Sequence, residues 1–165
     1  MTLVELCVVI VILGILIVIA VASLQRARVS ANEGSAIGSL KTINTAQIAY
    51  ASACGGGNFA PSLLVLGHKP PGYRQSFIDD ELAGSPTVQH SGYNVNIHDG
   101  VGASIGRVDC NGMPTTTNYY ASAVPVVMGR TGTRAFATSQ RAGIYFQEGL
   151  ISPPEPFGPP SRLVQ

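Results

Sequence analysis

A glutamate, Glu5, is followed by nineteen residues, Leu6 to Leu24, that carry no charge. The stretch "LCVVIVILGILIVIAVASL" is aliphatic apart from Cys7, Gly14 and Ser23. Wound as a helix it rises about 1.5 Å per residue, enough to match a hydrocarbon core of about 30 Å, so it predicts a transmembrane helix. A cleaved secretory signal would begin with basic residues and end at a small-residue cleavage site; this start has an acid and no base. The carboxylate is the unexplained part. An ionised group in an apolar span needs a partner, and the nearest candidate is an α-amino group about one helical turn away. The amine of a second, axially shifted copy serves as well, and Glu5 then sets the register between copies, because a mis-staggered neighbour leaves it unpaired. The simpler alternative places Glu5 at the membrane interface of an ordinary anchor.

The run "MTLVELCVVIVILGIL", with an apolar first residue, Thr2, Leu3, Glu5 and Gly14, resembles the mature N-terminus of type IV pilins and of the pseudopilins of type II secretion. The likeness covers the first 25 to 30 residues. It implies a precursor whose leader is removed by a prepilin peptidase, with Met1 the new, N-methylated terminus. It also implies inner-membrane anchoring before assembly, and a helical homopolymer in which Glu5, with Thr2 and Leu3, directs assembly by the pilus machinery. Arg26 and Arg28, the nearest bases, point the opposite way under the positive-inside rule, which the missing leader charges leave uninformative. Many relatives have a proline after the apolar run, and the segment back to Gly14 can melt in filaments. Here Ala22 occupies that place, so Gly14 and the β-branched residues carry any such melting.

The helix is expected to continue. Ala36, Leu40, Ile43, Ala46 and Tyr50 recur every three or four residues, one face of an amphipathic helix, and Glu33, Lys41, Asn44 and Gln47 are assigned to its polar back. "CGGGN" ends it, glycine being poor inside helices and tolerant of left-handed backbone. With no lysine and no following helix, that glycine run is not a phosphate loop. We therefore divide the chain into an apolar arm (1–25), an amphipathic half-helix (26–54) and a globular region (55–165). Residues 58–92 read as irregular, with short helical segments at "APSLLVLG" and "SFIDDELAG". "GYNVNIHDG", "NYYASAVPV", "TRAFATSQ" and "AGIYFQEG" read as four strands between about 92 and 150. Five prolines in "SPPEPFGPPSRLVQ" predict an extended tail over 151–165. The fold class is α+β: a long N-terminal helix packed on a roughly four-stranded antiparallel sheet, as the pilin resemblance also implies.

About 140 residues beyond the arm suffice for one compact domain. A net charge of +1 with scattered bases gives no footprint for nucleic acid. Of three cysteines, Cys7 lies in the arm; a Cys54–Cys110 bridge would tie helix to sheet in an oxidising compartment, and two free thiols remain the alternative. His68, His90 and His98 lack metal-ligand spacing, and no catalytic constellation, metal site or cofactor motif is evident. The triplet Asp79, Asp80, Glu81 reads as a solvated turn before it reads as a calcium site. Thr115, Thr116 and Thr117 fall in an expected exposed loop, where a pilin resemblance allows O-glycans. The functional expectation is a structural subunit of an extracellular pilus filament. A minor pilin or pseudopilin, and a membrane-anchored monomeric domain, are the alternatives.

Overall fold

A computed structural model describes residues 2–164, without the side chains of residues 18–20 and 22. Helix α1 (Leu3–Ala53) is a single rod of 51 residues, about 76 Å long at the usual rise. It starts on a capping box: the Thr2 hydroxyl accepts the Glu5 N–H at 3.2 Å, and the Glu5 carboxylate accepts the Thr2 N–H at 3.3 Å. It stops at Cys54, where the Cys54 and Gly55 N–H groups both donate to the Tyr50 carbonyl. Gly56 and Gly57 follow at φ 57° and 91°, the left-handed backbone that lets the chain turn away.

Two short helices lead into the sheet: α2 (Leu63–Leu66) packs beside α1, and α3 (Asp80–Ala83) packs against α2 and the first strand. The sheet is an antiparallel meander of six strands in chain order: β1 (Thr87–His90), β2 (Tyr93–Asp99), β3 (Tyr119–Pro125), β4 (Arg134–Ser139), β5 (Ile144–Glu148) and β6 (Arg162–Leu163). Strands β2 to β5 are the four read from sequence. The expected count of four is corrected by one strand at each edge. β1 joins β2 through Ser91 and Gly92, both at positive φ (47° and 76°), the backbone of a two-residue hairpin. β6 follows the last proline, so its N–H groups are available to pair Leu163 with Tyr145 and Arg162 with Phe146.

The stripe Ala36, Leu40, Ile43, Ala46, Tyr50 is buried as expected, at 4% exposure or less, against Tyr93, Val95, Tyr119 and Phe136 of the sheet. Cys54 and Cys110 form a disulfide with Cα atoms 4.9 Å apart. It holds the end of α1 to the long β2–β3 connection. On the opposite face of the sheet the proline-rich tail lies against the strands. Tyr120 donates to the Pro153 carbonyl at 2.6 Å, Phe157 stacks on Tyr145 with centroids 4.3 Å apart, and the Glu155 carboxylate accepts the Val101 N–H.

One expectation is overturned. Among the described residues no helix is long and apolar enough to cross a membrane, so the transmembrane helix, and with it inner-membrane anchoring and the anchored monomer, are withdrawn. A span of about 30 Å takes about 20 consecutive apolar residues on one helix, and the described residues supply no such window.

Candidate functional site

The helix divides by environment rather than by conformation. Its described side chains from Leu3 to Ile17 are all exposed, and the first buried one is Glu33. Leu3, Val4, Ile10, Val11 and Ile17 are each more than half exposed. Isolated apolar residues on a surface are ordinary, but a continuous apolar column on an unaccompanied helix marks an interaction surface.

Glu5, the acid that heads this column, already has a local task. Its capping of Thr2 completes the reciprocal box that fixes the first turn. A carboxylate accepts through two oxygens and several lone pairs, so this bond leaves capacity for a second donor. Leu3, at 79% exposure, opens the apolar surface beside it. At Gly14 the helix is continuous, and a side chain there would meet open space. The fold therefore places no break at the candidate melting point. Met1 and the Ala22 side chain lie outside the described residues.

Where the arm enters the head, a half-buried ion pair between Glu33 and Arg134 clamps the helix to the start of β4. The Glu33 carboxylate, 5% exposed, accepts from the Thr133 N–H (2.9 Å), the Thr133 hydroxyl (2.8 Å) and the Arg134 Nε–H (2.8 Å), with a further Arg134 Nη2 contact. Burial pushes the Glu33 carboxyl up, yet the Thr133 N–H, the Arg134 and Thr133 side-chain bonds and the guanidinium charge together hold it below the ordinary carboxylate value. Arg134 in turn lies over Phe146 and Phe136, at 5.0 and 5.6 Å from their centroids. Assigning Glu33 to the polar back of the helix is thus corrected.

Asn44 and Gln47, also assigned to that back, are buried too. Asn44 accepts the Tyr119 hydroxyl at 2.8 Å and donates to the Thr138 hydroxyl and the Ala142 carbonyl. Gln47 exchanges two hydrogen bonds with the Ala60 backbone, at 2.8 and 2.9 Å. Near the disulfide, buried Asp109 accepts the Tyr50 hydroxyl at 2.9 Å; burial, then Asp109, pushes the Tyr50 phenol up. The only sequence signal for this buried set was position: Glu33, Ser39, Asn44 and Gln47 flank the apolar stripe, within the arc that a broad sheet covers.

The threonine cluster is not an exposed loop. Thr115 and Thr116 are 2% exposed and donate to the Arg107 and Asn118 carbonyls, while exposed Thr117 accepts the Ser104 N–H. Buried and already bonded hydroxyls are poor glycan acceptors, so Thr115 and Thr116 are withdrawn as modification sites. Glu81 of the acidic triplet pairs with His90 at 3.1 Å, and among the described residues no group of three His, Cys, Asp or Glu side chains could hold a metal ion.

No protein-family model, curated protein or solved structure matches the chain.

Proposed function

We propose that the chain is the structural subunit of a type IV pilin-like filament, in which the arms of many copies pack side by side and the sheets face outward. The observation that carries the reading is the exposed apolar column over the first half of a helix whose second half is embedded in a folded head. Removing such a column from water is favourable in proportion to area, and parallel columns of other copies cover it along its length. Contacts that repeat head to tail without closing generate an open helical polymer. Glu5 then accepts the N-terminal amine of a neighbouring Met1, which the family resemblance makes N-methylated after prepilin peptidase cleavage. Thr2 and Leu3 complete that contact.

Because Glu5 also caps its own helix, Glu5→Ala alone cannot separate the two roles. Glu5→Gln can, since glutamine supports a capping box but carries no charge. Sheared surface material from cells carrying wild-type chain, Glu5→Gln or Glu5→Ala is examined by negative-stain microscopy, with mass spectrometry of the wild-type N-terminus. Long filaments in the wild type, lost in both variants, are expected. Filaments that persist in Glu5→Gln and fail only in Glu5→Ala would reduce Glu5 to a helix cap. A wild type without filaments ends the proposal.

A further inference from the structure

Glu5 and Arg28 stand on one continuous helix, so their separation is fixed by the helix itself. They are twenty-three residues apart in sequence, about 35 Å along the axis. Between Glu5 and Glu33 the only charges are Arg26 and Arg28, so the apolar column has an acid at one end and bases at the other. Arg28 lies where α1 meets the β3–β4 connection, and with Arg130 it lines an open cleft of about 660 Å³ that also takes in Gln25, Asn32 and Met128. Both arginines are exposed, and among the described residues neither stands in an ion pair and no acid lines the cleft. Glu33 lines the separate cleft that holds Arg26, and its charge is met by Arg134. The wall beside Arg130 is braced: Asn32 donates to the Thr131 carbonyl at 3.0 Å, and the Thr131 hydroxyl bonds to the Val127 backbone. A concave site with two positive charges is thus open to a carboxylate.

Glu5 is the group that matches it. Its side chain is exposed, and its bond to the Thr2 N–H goes through Oε2, which leaves Oε1 for a donor from another copy. A Met1 amine serves it from a copy nearly level with it; Arg28 serves it from a copy displaced by the length of the apolar column.

Building on the filament reading, we infer that Glu5 of one copy docks in the Arg28–Arg130 cleft of a parallel second copy shifted about 35 Å along the axis. At that stagger residues 6–24 of the first copy lie level with 29–47 of the second. The exposed residues of α1 over that range include Ala31, Gly34, Gly38 and Thr45, with Lys41 the one charge, so an almost uncharged helix face covers the apolar rod. Equal register would set guanidinium against guanidinium, which the charges select against. An antiparallel pair would match the same charges, but it closes after two copies and builds no polymer.

The test uses the full-length chain with Cys7 replaced by serine. Leu16, 57% exposed, is three turns from Glu5 on the same face, and at this stagger it falls beside Gly38, where a side chain meets open space. Oxidised filaments of Leu16→Cys/Gly38→Cys are expected to give a ladder of multimers that reductant collapses, and Leu16→Cys alone to give none. Arg28→Glu, with an unchanged melting temperature, is expected to lower filament yield about tenfold at low salt, and Arg28→Lys to retain it. Dimers from Leu16→Cys alone would reveal the antiparallel pair and overturn the stagger. Abundant wild-type filaments without the ladder, or with Arg28→Glu assembling equally well, would overturn it while leaving the filament reading intact. Absence of wild-type filaments overturns both.

Discussion

Glu33 illustrates how one side chain can decide where a helix stops being an arm. Four donors from Thr133 and Arg134 satisfy it in a site 5% exposed, so deleting the carboxylate leaves a partly buried guanidinium unpaired. Glu33→Ala is expected to cost about 2 kcal/mol, below the figure for a fully buried pair because the Arg134 side chain keeps 37% of its exposure. Urea titration measures it. The pH dependence has a defined sign. The folded carboxyl titrates below its ordinary value of 4.5, so its stabilising contribution is complete above that pH and is lost as pH falls through the folded value. Wild type should therefore lose more stability between pH 5 and pH 3 than Glu33→Gln does. Equal slopes for the two proteins would remove Glu33 from the acid response. Nearby, a Cβ on Gly132 would overlap the Tyr93 ring and hydroxyl. Tyr93 is fully buried and donates to the Arg134 carbonyl, so it cannot swing away. Gly132→Ala should cost about 2 kcal/mol by overpacking, read as a lowered melting temperature.

At the scale of elements, α1 and the long β2–β3 connection depend on one covalent tie. The Cys54–Cys110 bridge closes a loop with a sequence separation of 56 residues, for which chain entropy gives about 4 kcal/mol. Cys54→Ser/Cys110→Ser is expected to lower the denaturant midpoint accordingly and to remove the effect of reductant on the wild type. A variant as stable as the oxidised parent would show that the Tyr50–Asp109 bond and the Cys110 N–H to Cys54 carbonyl bond hold the connection by themselves. The sheet's edges are the elements that pattern reading missed. "TVQH" is only four residues, none of them buried and just the first two β-branched, so its pairing is set by the Ser91-Gly92 turn and by β2. Five prolines predict an extended tail without ladder pairing; Arg162 and Leu163, which follow them, find an open edge on β5.

For the whole molecule, the arm and head answer to different partners. The head closes on itself: among the described residues no buried side-chain polar atom is without a hydrogen bond. The arm keeps an apolar column in contact with water, and its burial waits on something outside the monomer. A chain of this design should be prone to associate when its arm is intact and behave as a monomer without it. Deleting 1–28, where every described side chain is exposed, is expected to leave the head folded with its disulfide, and to shift sedimentation from large species to a single monomeric boundary. A truncated head that still polymerises would move the assembly surface away from the arm.

Much of this architecture is written locally. The capping residues Thr2 and Glu5, the stripe from Ala36 to Tyr50, the glycines after Cys54 and the alternating runs of β2 to β5 each act within a few residues, so sequence alone determined the long helix, its end and the central strands. Which polar residues of that helix lie inside was decided only by the tertiary structure. Glu33, Asn44 and Gln47 look like solvent-facing residues until Arg134, Tyr119 and Ala60 reach them, two of these from more than seventy residues away. Burial of Thr115 and Thr116 is likewise set by packing, although their hydroxyls bond carbonyls close by in sequence. A buried polar group is stable only with its partner in place, and partners so distant in sequence are chosen by the packing of helix on sheet, not by any local pattern.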